Sequence, residues 1–488
     1  MVITPVSPVS GNPNLLLGAY DLATLGYSAE EFFVSETASS CANFAKADYT
    51  TRIVVLTPTD DAKFTGTVIV EWLNVSGGID APAVWFMAHR EIVREGYAYV
   101  AISAQRVGVE GGTSLVGADM SLKAQDSERY SRLSHPGDAF AYDIYSQVGQ
   151  FVRDGTNGLL GQLSPKAILA VGESQSAAYL TTYVNEVDPL AEVYDGFLVH
   201  SRFGSAAPLD GTSVFEPSSA DASQAVPFRA DLRVPVMTVI TETDLVGGWR
   251  TGYHLARRPD NERFRAWEIP GTAHADNYTI RVGFIDSGSA PLADLAAAYA
   301  PTNELMGTRL SYSINFAPQH HYVLQAAIAK LNTWVRTGEP APTAPPMAVA
   351  EANPPQLVLD ANGLVEGGVR TPWIDVPIAK TSGIAADESA MSFLFGSGEP
   401  FDAATCPGST PAVRRNISSG SPRRSTAQLT PGSSCLRTAP RSSSLPRRPT
   451  RTRRGAHRSR IDADVLCSCL IRGCDLLEFG INRYLQVG

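Results

Sequence analysis

The 488-residue chain is 44% hydrophobic and 18% charged, as a globular protein of one large domain or two to three ordinary ones would be. Its net charge of −9 is unevenly spread: residues 1–405 carry 25 basic and 45 acidic side chains, a net of −20. So acidic a body has no polybasic face for nucleic acid, and no apolar run approaches the roughly 18 residues of a membrane helix.

In chain order, "EEFFVSET" and "TTRIVVLTP" read as an opening antiparallel pair, rich in β-branched and aromatic residues. "GTVIVEWLN" is apolar throughout, as expected of a strand buried on both faces. "AVWFMAHREIVREG" predicts a helix stopped by glycine, and "YAYVAISA" the next strand. "AFAYDIYSQVGQFVRDG" is an amphipathic helix and "KAILAVG" a strand. Helix "AAYLTTYVNEV" then precedes strands "YDGFLVHS", "VPVMTVIT" and "FRAWEIPG". Strands alternating with helices after an antiparallel start predict an α/β fold with a mostly parallel central sheet flanked by helices.

The pattern dissolves over about 201–233, and loops of that length are usually lids or binding loops. A lid or cap insertion is therefore expected there, with Phe203, Phe215 and Phe228 lining a substrate pocket. A helix opening at His320 leads into a Pro-rich linker, and about 354–380 reads as a closing hairpin. Residues 1–405 form the expected catalytic domain.

Residues 406–488 differ in kind. Between Cys406 and Arg460 there are thirteen Arg, no Lys and no acid, and five of the six cysteines lie in this tail. Three readings are open: a disordered Ser/Arg/Pro segment, a basic arm, or the product of a frameshift. Ordinary GC-rich codons for this segment can be chosen so that the shifted frame reads as an amphipathic segment with Tyr, Leu, Phe and Val at helical spacing. Sequencing the gene across the codon for Cys406 separates these readings. "LCSCLIRGC" lacks the fourth ligand and the paired spacing of a zinc site. One body cysteine, Cys41, builds no disulfide framework. The opening "MVITPVSPVSGNPN" lacks the basic and apolar regions of a secretory signal, so a cytoplasmic location is expected. A mature chain renumbered after signal removal would look the same.

Chemistry is concentrated at "AVGESQSAAY". Ser174 stands between a predicted strand and a predicted helix, with small residues, Gly172 and Ser176, two places on either side. A nucleophile elbow requires this, because its serine is held in a strained backbone conformation. A polar turn before a helix would look similar. Two further strands end in Glu242-Thr243-Asp244 and in His274, so both fall at the same sheet edge as Ser174. The order serine, acid, histidine is that of the α/β-hydrolase triad. A serine hydroxyl needs an imidazole base, and the imidazole a carboxylate to hold its tautomer. Asp244 is the expected acid, with Glu242 its rival; Asp244 could instead cap a helix, and His274 could be an ordinary loop histidine. Oxyanion donors are expected from the backbone of Gln175 and of Asn74 or Val75 in "LNVSGG".

These motifs resemble the α/β-hydrolase superfamily over about residues 15–405. More narrowly, "DLATLGYSAEEFFVSETA", "VEWLNVSGG", the G-x-S-Q-S elbow and "TETD" resemble the bacterial "alpha/beta hydrolase domain" family. The resemblance implies Ser174 as nucleophile, Gln175 as oxyanion donor, Asp244 as acid and His274 as base. Ser176 departs from the superfamily's commonest elbow, which has glycine there.

The expected function is hydrolysis of carboxylic esters through an acyl-enzyme, on a small-molecule substrate. No cofactor, metal, nucleic acid or membrane partner is expected, and the oligomeric state is open. Lactones, thioesters or amides would use the same triad; a non-catalytic binding protein on the same fold is the rival class. Adjacent His320 and His321 cannot share a helix face as a metal site would require.

Overall fold

The computed structural model describes residues 6–155, 158–215, 224–352, 354–387 and 392–401. The readings of the 406–488 tail lie outside the described residues.

Nine strands form one sheet: β1 (Val6–Val9), β2 (Tyr27–Ser39), β3 (Lys46–Pro58), β4 (Thr67–Trp72), β5 (Ala98–Ile102), β6 (Ala167–Glu173), β7 (Gly196–His200), β8 (Val236–Thr241) and β9 (Phe264–Ile269). Their order is β1-β2-β3-β5-β4-β6-β7-β8-β9. Pairings from β5 through β9 are parallel, while β1, β2 and β3 pair antiparallel with their neighbours and β3 joins β5 antiparallel. The opening pair is longer than its sequence cores, at 13 residues a strand, and β1 adds an edge that the sequence reading omits. Pro8 is tolerated in β1 because that strand is the edge of the sheet.

Strand alternation divides the core into two layers. Val68, Val70 and Trp72 of β4 face one cluster, with Tyr142, Ile144 and Val148 of the helix Ala141–Asp154 and Leu180 of the helix Gln175–Thr182. Ile69 faces the other, with Trp85 and Ile92 of the helix Ala83–Arg94 and Leu324 and Leu331 of the helix Gln319–Thr337. Glu71 anchors this second layer: its buried carboxylate accepts the backbone N–H groups of Val84 and Trp85 at 2.8 and 3.1 Å. Those are orphan donors at a helix start, which a carboxylate satisfies well.

Between β7 and β8 the described residues carry no helix or strand. The stretch is stitched to the body by Arg202, whose guanidinium donates to the carbonyls of Phe203, Gly204 and Val226 at 2.7–2.9 Å. Phe228, expected to line a pocket, is instead buried against Phe264 of β9. Over 354–380, Gln356–Leu357 pairs with Val349–Ala350, Leu359 bridges Val365, and a short helix, Pro372–Asp375, follows. The main strands therefore bring β6, β8 and β9 to a common carboxyl rim, where the chain breaks from strand to loop or helix.

Candidate functional site

Ser174 follows β6 directly and opens the helix Gln175–Thr182 with φ 57° and ψ −114°. A non-glycine residue there carries strain on the order of 1–3 kcal/mol, and two backbone bonds hold it in place. Its N–H donates to the His200 carbonyl at 3.0 Å, and its carbonyl accepts from the Ala178 N–H at 3.2 Å. A Cβ added to Gly172 would come 3.2 Å from the Ser176 carbonyl oxygen, so a side chain there would require the helix start to give by a few tenths of an ångström. Ser176 can replace the usual glycine because its small hydroxyl ties back across the turn. It donates to the Glu173 carbonyl at 2.8 Å and accepts from the Glu173 N–H at 3.0 Å.

The acid arises where β8 becomes the short helix Glu242–Val246. Thr241 caps that helix, and Asp244 returns the bond: its Oδ2 accepts from the Thr241 N–H at 2.9 Å and from its hydroxyl at 2.8 Å. The other oxygen, Oδ1, accepts from His274 Nδ1 at 2.6 Å. Capping and pairing, alternatives in the sequence, are performed together by one carboxylate. With Nδ1–H committed to Asp244, Nε2 is left as acceptor for the Ser174 hydroxyl, 2.8 Å away. Phe203 stacks on the imidazole with centroids 5.3 Å apart. Burial disfavours protonation of His274, but the charge and hydrogen bond of Asp244, with Glu173 behind them, outweigh it and raise its pKa.

Glu242 does not reach this chain of bonds. Its buried carboxylate accepts from the Gly383 N–H at 2.8 Å, the Ser382 hydroxyl at 2.9 Å and the Gly271 N–H, locking residues 382–383 against the turn after β9. Burial pushes its pKa up to about 7, against those three donors.

The two loop donors part company. The Asn74 N–H is spent on the Ala81 carbonyl at 3.0 Å, and the Ala81 N–H answers Asn74 at 2.8 Å, so this backbone is not free to meet an oxyanion. Among the described residues the Val75 N–H meets only the side-chain oxygen of Gln175 at 3.3 Å, a long bond that a better acceptor would displace. The Gln175 N–H, first in its helix, is among the donors no helical carbonyl can take. The Gln175 amide is held in turn by Gln105 at 2.9 Å, which also accepts from the Trp72 indole at 3.1 Å.

Two neighbours are absent from the sequence reading. Glu173 sends Oε1 to 3.5 Å from His274 Nε2, while Oε2 accepts from the Asn74 side-chain amide at 3.0 Å. Burial pushes its pKa up to about 7. Arg250 is the second: its guanidinium lies 5.4 Å from the Phe203 ring. An acid directly before the serine was the one available signal for Glu173; Arg250 had none. His320, for its part, hydrogen-bonds to His200 at 2.8 Å, while His321 stacks on Tyr278 at 3.6 Å. Among the described residues no cluster of three or more His, Cys, Asp or Glu could hold a metal ion, and no helix is long and apolar enough to cross a membrane.

A serine–histidine–aspartate chain of hydrogen bonds at the carboxyl rim of a mostly parallel sheet, in that sheet's strand order, defines an α/β-hydrolase-fold protein. More narrowly, the chain belongs to the family described as "Alpha/beta hydrolase domain", which matches residues 2–409. Among curated proteins none matches the chain. Solved structures similar to it include a cold-adapted esterase from an Arctic intertidal metagenomic library, at 12% identity, TM-score 0.30, covering 54% of this chain and 89% of that one. An a/b serine hydrolase without a lid from Xanthomonas campestris has 12% identity and TM-score 0.30, covering 50% of this chain and 85% of its own. Fungal esterases from Rhizomucor miehei have 11% identity and TM-score 0.29, covering 65% and 88%.

Proposed function

We propose that the protein is a serine hydrolase that cleaves carboxylic esters through an acyl-enzyme. The observation that carries this reading is His274 bridging Ser174 Oγ at 2.8 Å and Asp244 Oδ1 at 2.6 Å. Ser174 Oγ attacks the ester carbonyl while its proton passes to His274 Nε2. Asp244 stabilises the imidazolium through Nδ1–H. The oxyanion that forms would be met by the N–H groups of Gln175 and Val75, the latter exchanging its long bond to the Gln175 side chain for a stronger one. Such a donor is typically worth about 10²–10³ in kcat.

Collapse of the tetrahedral intermediate breaks the ester C–O bond, and His274 returns its proton to the departing alkoxide. Water then attacks the acyl-Ser174 carbonyl, giving a proton to His274. Release of the acid returns that proton to Ser174 Oγ, so the cycle needs no cofactor. The strained backbone at Ser174 supports the reading, because strain of this kind is kept where it presents a group for reaction.

The test is labelling by a fluorophosphonate, with hydrolysis of a panel of p-nitrophenyl esters measured in parallel. Wild-type protein is expected to take one label, at Ser174, and Ser174→Ala none. Well-folded wild type that neither labels nor turns over any ester would overturn the proposal in favour of a binding protein on this fold.

A further inference from the structure

Two arginines near the rim have no carboxylate partner among the described residues, and they are not alike. Arg202 is fully buried: Nε and Nη2 donate to three backbone carbonyls, and Nη1, without an acceptor among the described residues, is closed off from solvent and so from any ligand. Arg250 is half-buried, and among the described residues no acceptor meets its guanidinium. Three aromatic rings crowd it instead: Trp249 at 4.4 Å, with Phe203 and Phe215 each at 5.4 Å. Burial alone, with no bonding partner to offset it, lowers its pKa to about 10, so it remains a cation at neutral pH.

Its nitrogens are still open to solvent, where a ligand can reach them, and the ring faces recover only part of the cost of its partial burial. The position is also informative. Phe203 touches both groups, stacking on the His274 imidazole at 5.3 Å and on Arg250 at 5.4 Å. The charge of Arg250 reaches the imidazole, where it opposes protonation. Around it, residues 1–405 carry a net charge of −20, which repels anions at a distance. An anion held at this rim needs a local cation with free donors, and a guanidinium offers a planar carboxylate two parallel N–H bonds.

We infer that Arg250 recognises substrate, and that the esters cleaved at Ser174 carry a carboxylate a short linker away from the scissile bond. This rests on the hydrolase reading above and narrows it to anionic esters.

The test compares esters that differ in one charge. On the acyl side, p-nitrophenyl hydrogen adipate is set against p-nitrophenyl hexanoate; on the alcohol side, 4-carboxyphenyl hexanoate is set against phenyl hexanoate. Each is scored as the wild-type to variant ratio of kcat/KM, so the intrinsic reactivity of the leaving group cancels. Arg250→Met is expected to lower kcat/KM on the charged member of at least one pair about tenfold more than on its uncharged counterpart. Arg250→Lys should fall between, since lysine keeps the charge but not the fork. Equal factors for both members of both pairs would reduce Arg250 to a brace among aromatic rings and overturn the inference. If Arg250→Met does not fold, as judged by circular dichroism, the same comparison with Arg250→Lys decides. A protein that labels at Ser174 and gives equal factors fails here alone. One that neither labels nor hydrolyses any ester fails at the hydrolase reading, and this inference falls with it.

Discussion

The antiparallel end of the sheet and its parallel rim both take charge out of water, but they treat it differently. At the antiparallel end, Arg52 of β3 is fully buried with its donors engaged: Asp80 at 2.7 Å, the Asn14 carbonyl at 2.8 Å and the Ser103 hydroxyl at 2.9 Å. Glu31 lies 3.6 Å from it and also accepts from Arg129 and from the Tyr130 hydroxyl at 3.0 Å. At the rim, Arg250 has aromatic rings in place of acceptors, Val75 has a long bond, and Ser174 sits in a strained conformation. Buried polar groups are ordinarily satisfied, so the antiparallel end, where charges pair with one another and Asp80 Oδ1 is left without a partner among the described residues, reads as scaffold, and the rim, with its open cation and long bond, as the part completed by a ligand.

Substitutions can break this contrast. Ser174→Ala removes the reacting atom and is expected to lower kcat by about 10⁴-fold or more, with little change in melting temperature. Arg52→Met should do the reverse, because it leaves the buried Asp80 carboxylate without its ion partner. A loss of about 3–5 kcal/mol in urea unfolding is expected, with kcat per folded molecule retained. If Arg52→Met were harmless to stability, the antiparallel end would lose its standing as scaffold.

A smaller effect separates the rim by pH. Burial pushes Glu173 and Glu242 from an ordinary 4.5 to about 7, and Glu71 to about 8. The folded protein thus keeps protons on these carboxyls where the unfolded chain has released them. Stability is therefore expected to fall as pH rises from about 4.5 to between 7 and 8, by less than Arg52→Met costs. Urea unfolding across that range checks it. A flat profile would mean the rim is better solvated than its burial suggests.

What the sequence made legible follows from locality. Each main strand and helix declares itself by its own period, and the order of Ser174, Asp244 and His274 can be read once three strand ends are assigned to one edge. The choice between Asp244 and Glu242 cannot, because it depends on how the first helical turn after Thr241 points each carboxylate. β1 is four residues long with a proline, and only its pairing to β2, far along the chain, makes it a strand. The Asn74 backbone was a plausible oxyanion donor until the turn bringing Ala81 back to it claimed the N–H. Phe228 looked like any aromatic in a loop; β9, still to come in the chain, supplies the ring that buries it. Arg250 is legible from no local pattern, since its cage joins Phe203, Phe215 and Trp249 across two connections of the sheet.

The smallest expected effect tests whether Glu173 belongs to the reactive rim or only fills it. His274 must be neutral at Nε2 to accept the Ser174 proton, so kcat/KM falls on the acid side as the imidazole protonates. Two carboxylates favour that protonation: Asp244, bonded at Nδ1, and Glu173, whose Oε1 lies 3.5 Å from Nε2. Glu173→Gln keeps an acceptor and the volume but removes the charge. The imidazolium is then less favoured, and the acid limb of kcat/KM should move to lower pH, with the plateau changed far less than by Ser174→Ala. Since Glu173 and His274 lie in contact, the wild-type limb belongs to the pair rather than to either residue, and the variant should give a simpler one-proton limb. A limb that stays in place would show that Glu173 is held away from the imidazole in solution, its carboxylate serving only to anchor the Asn74 side chain.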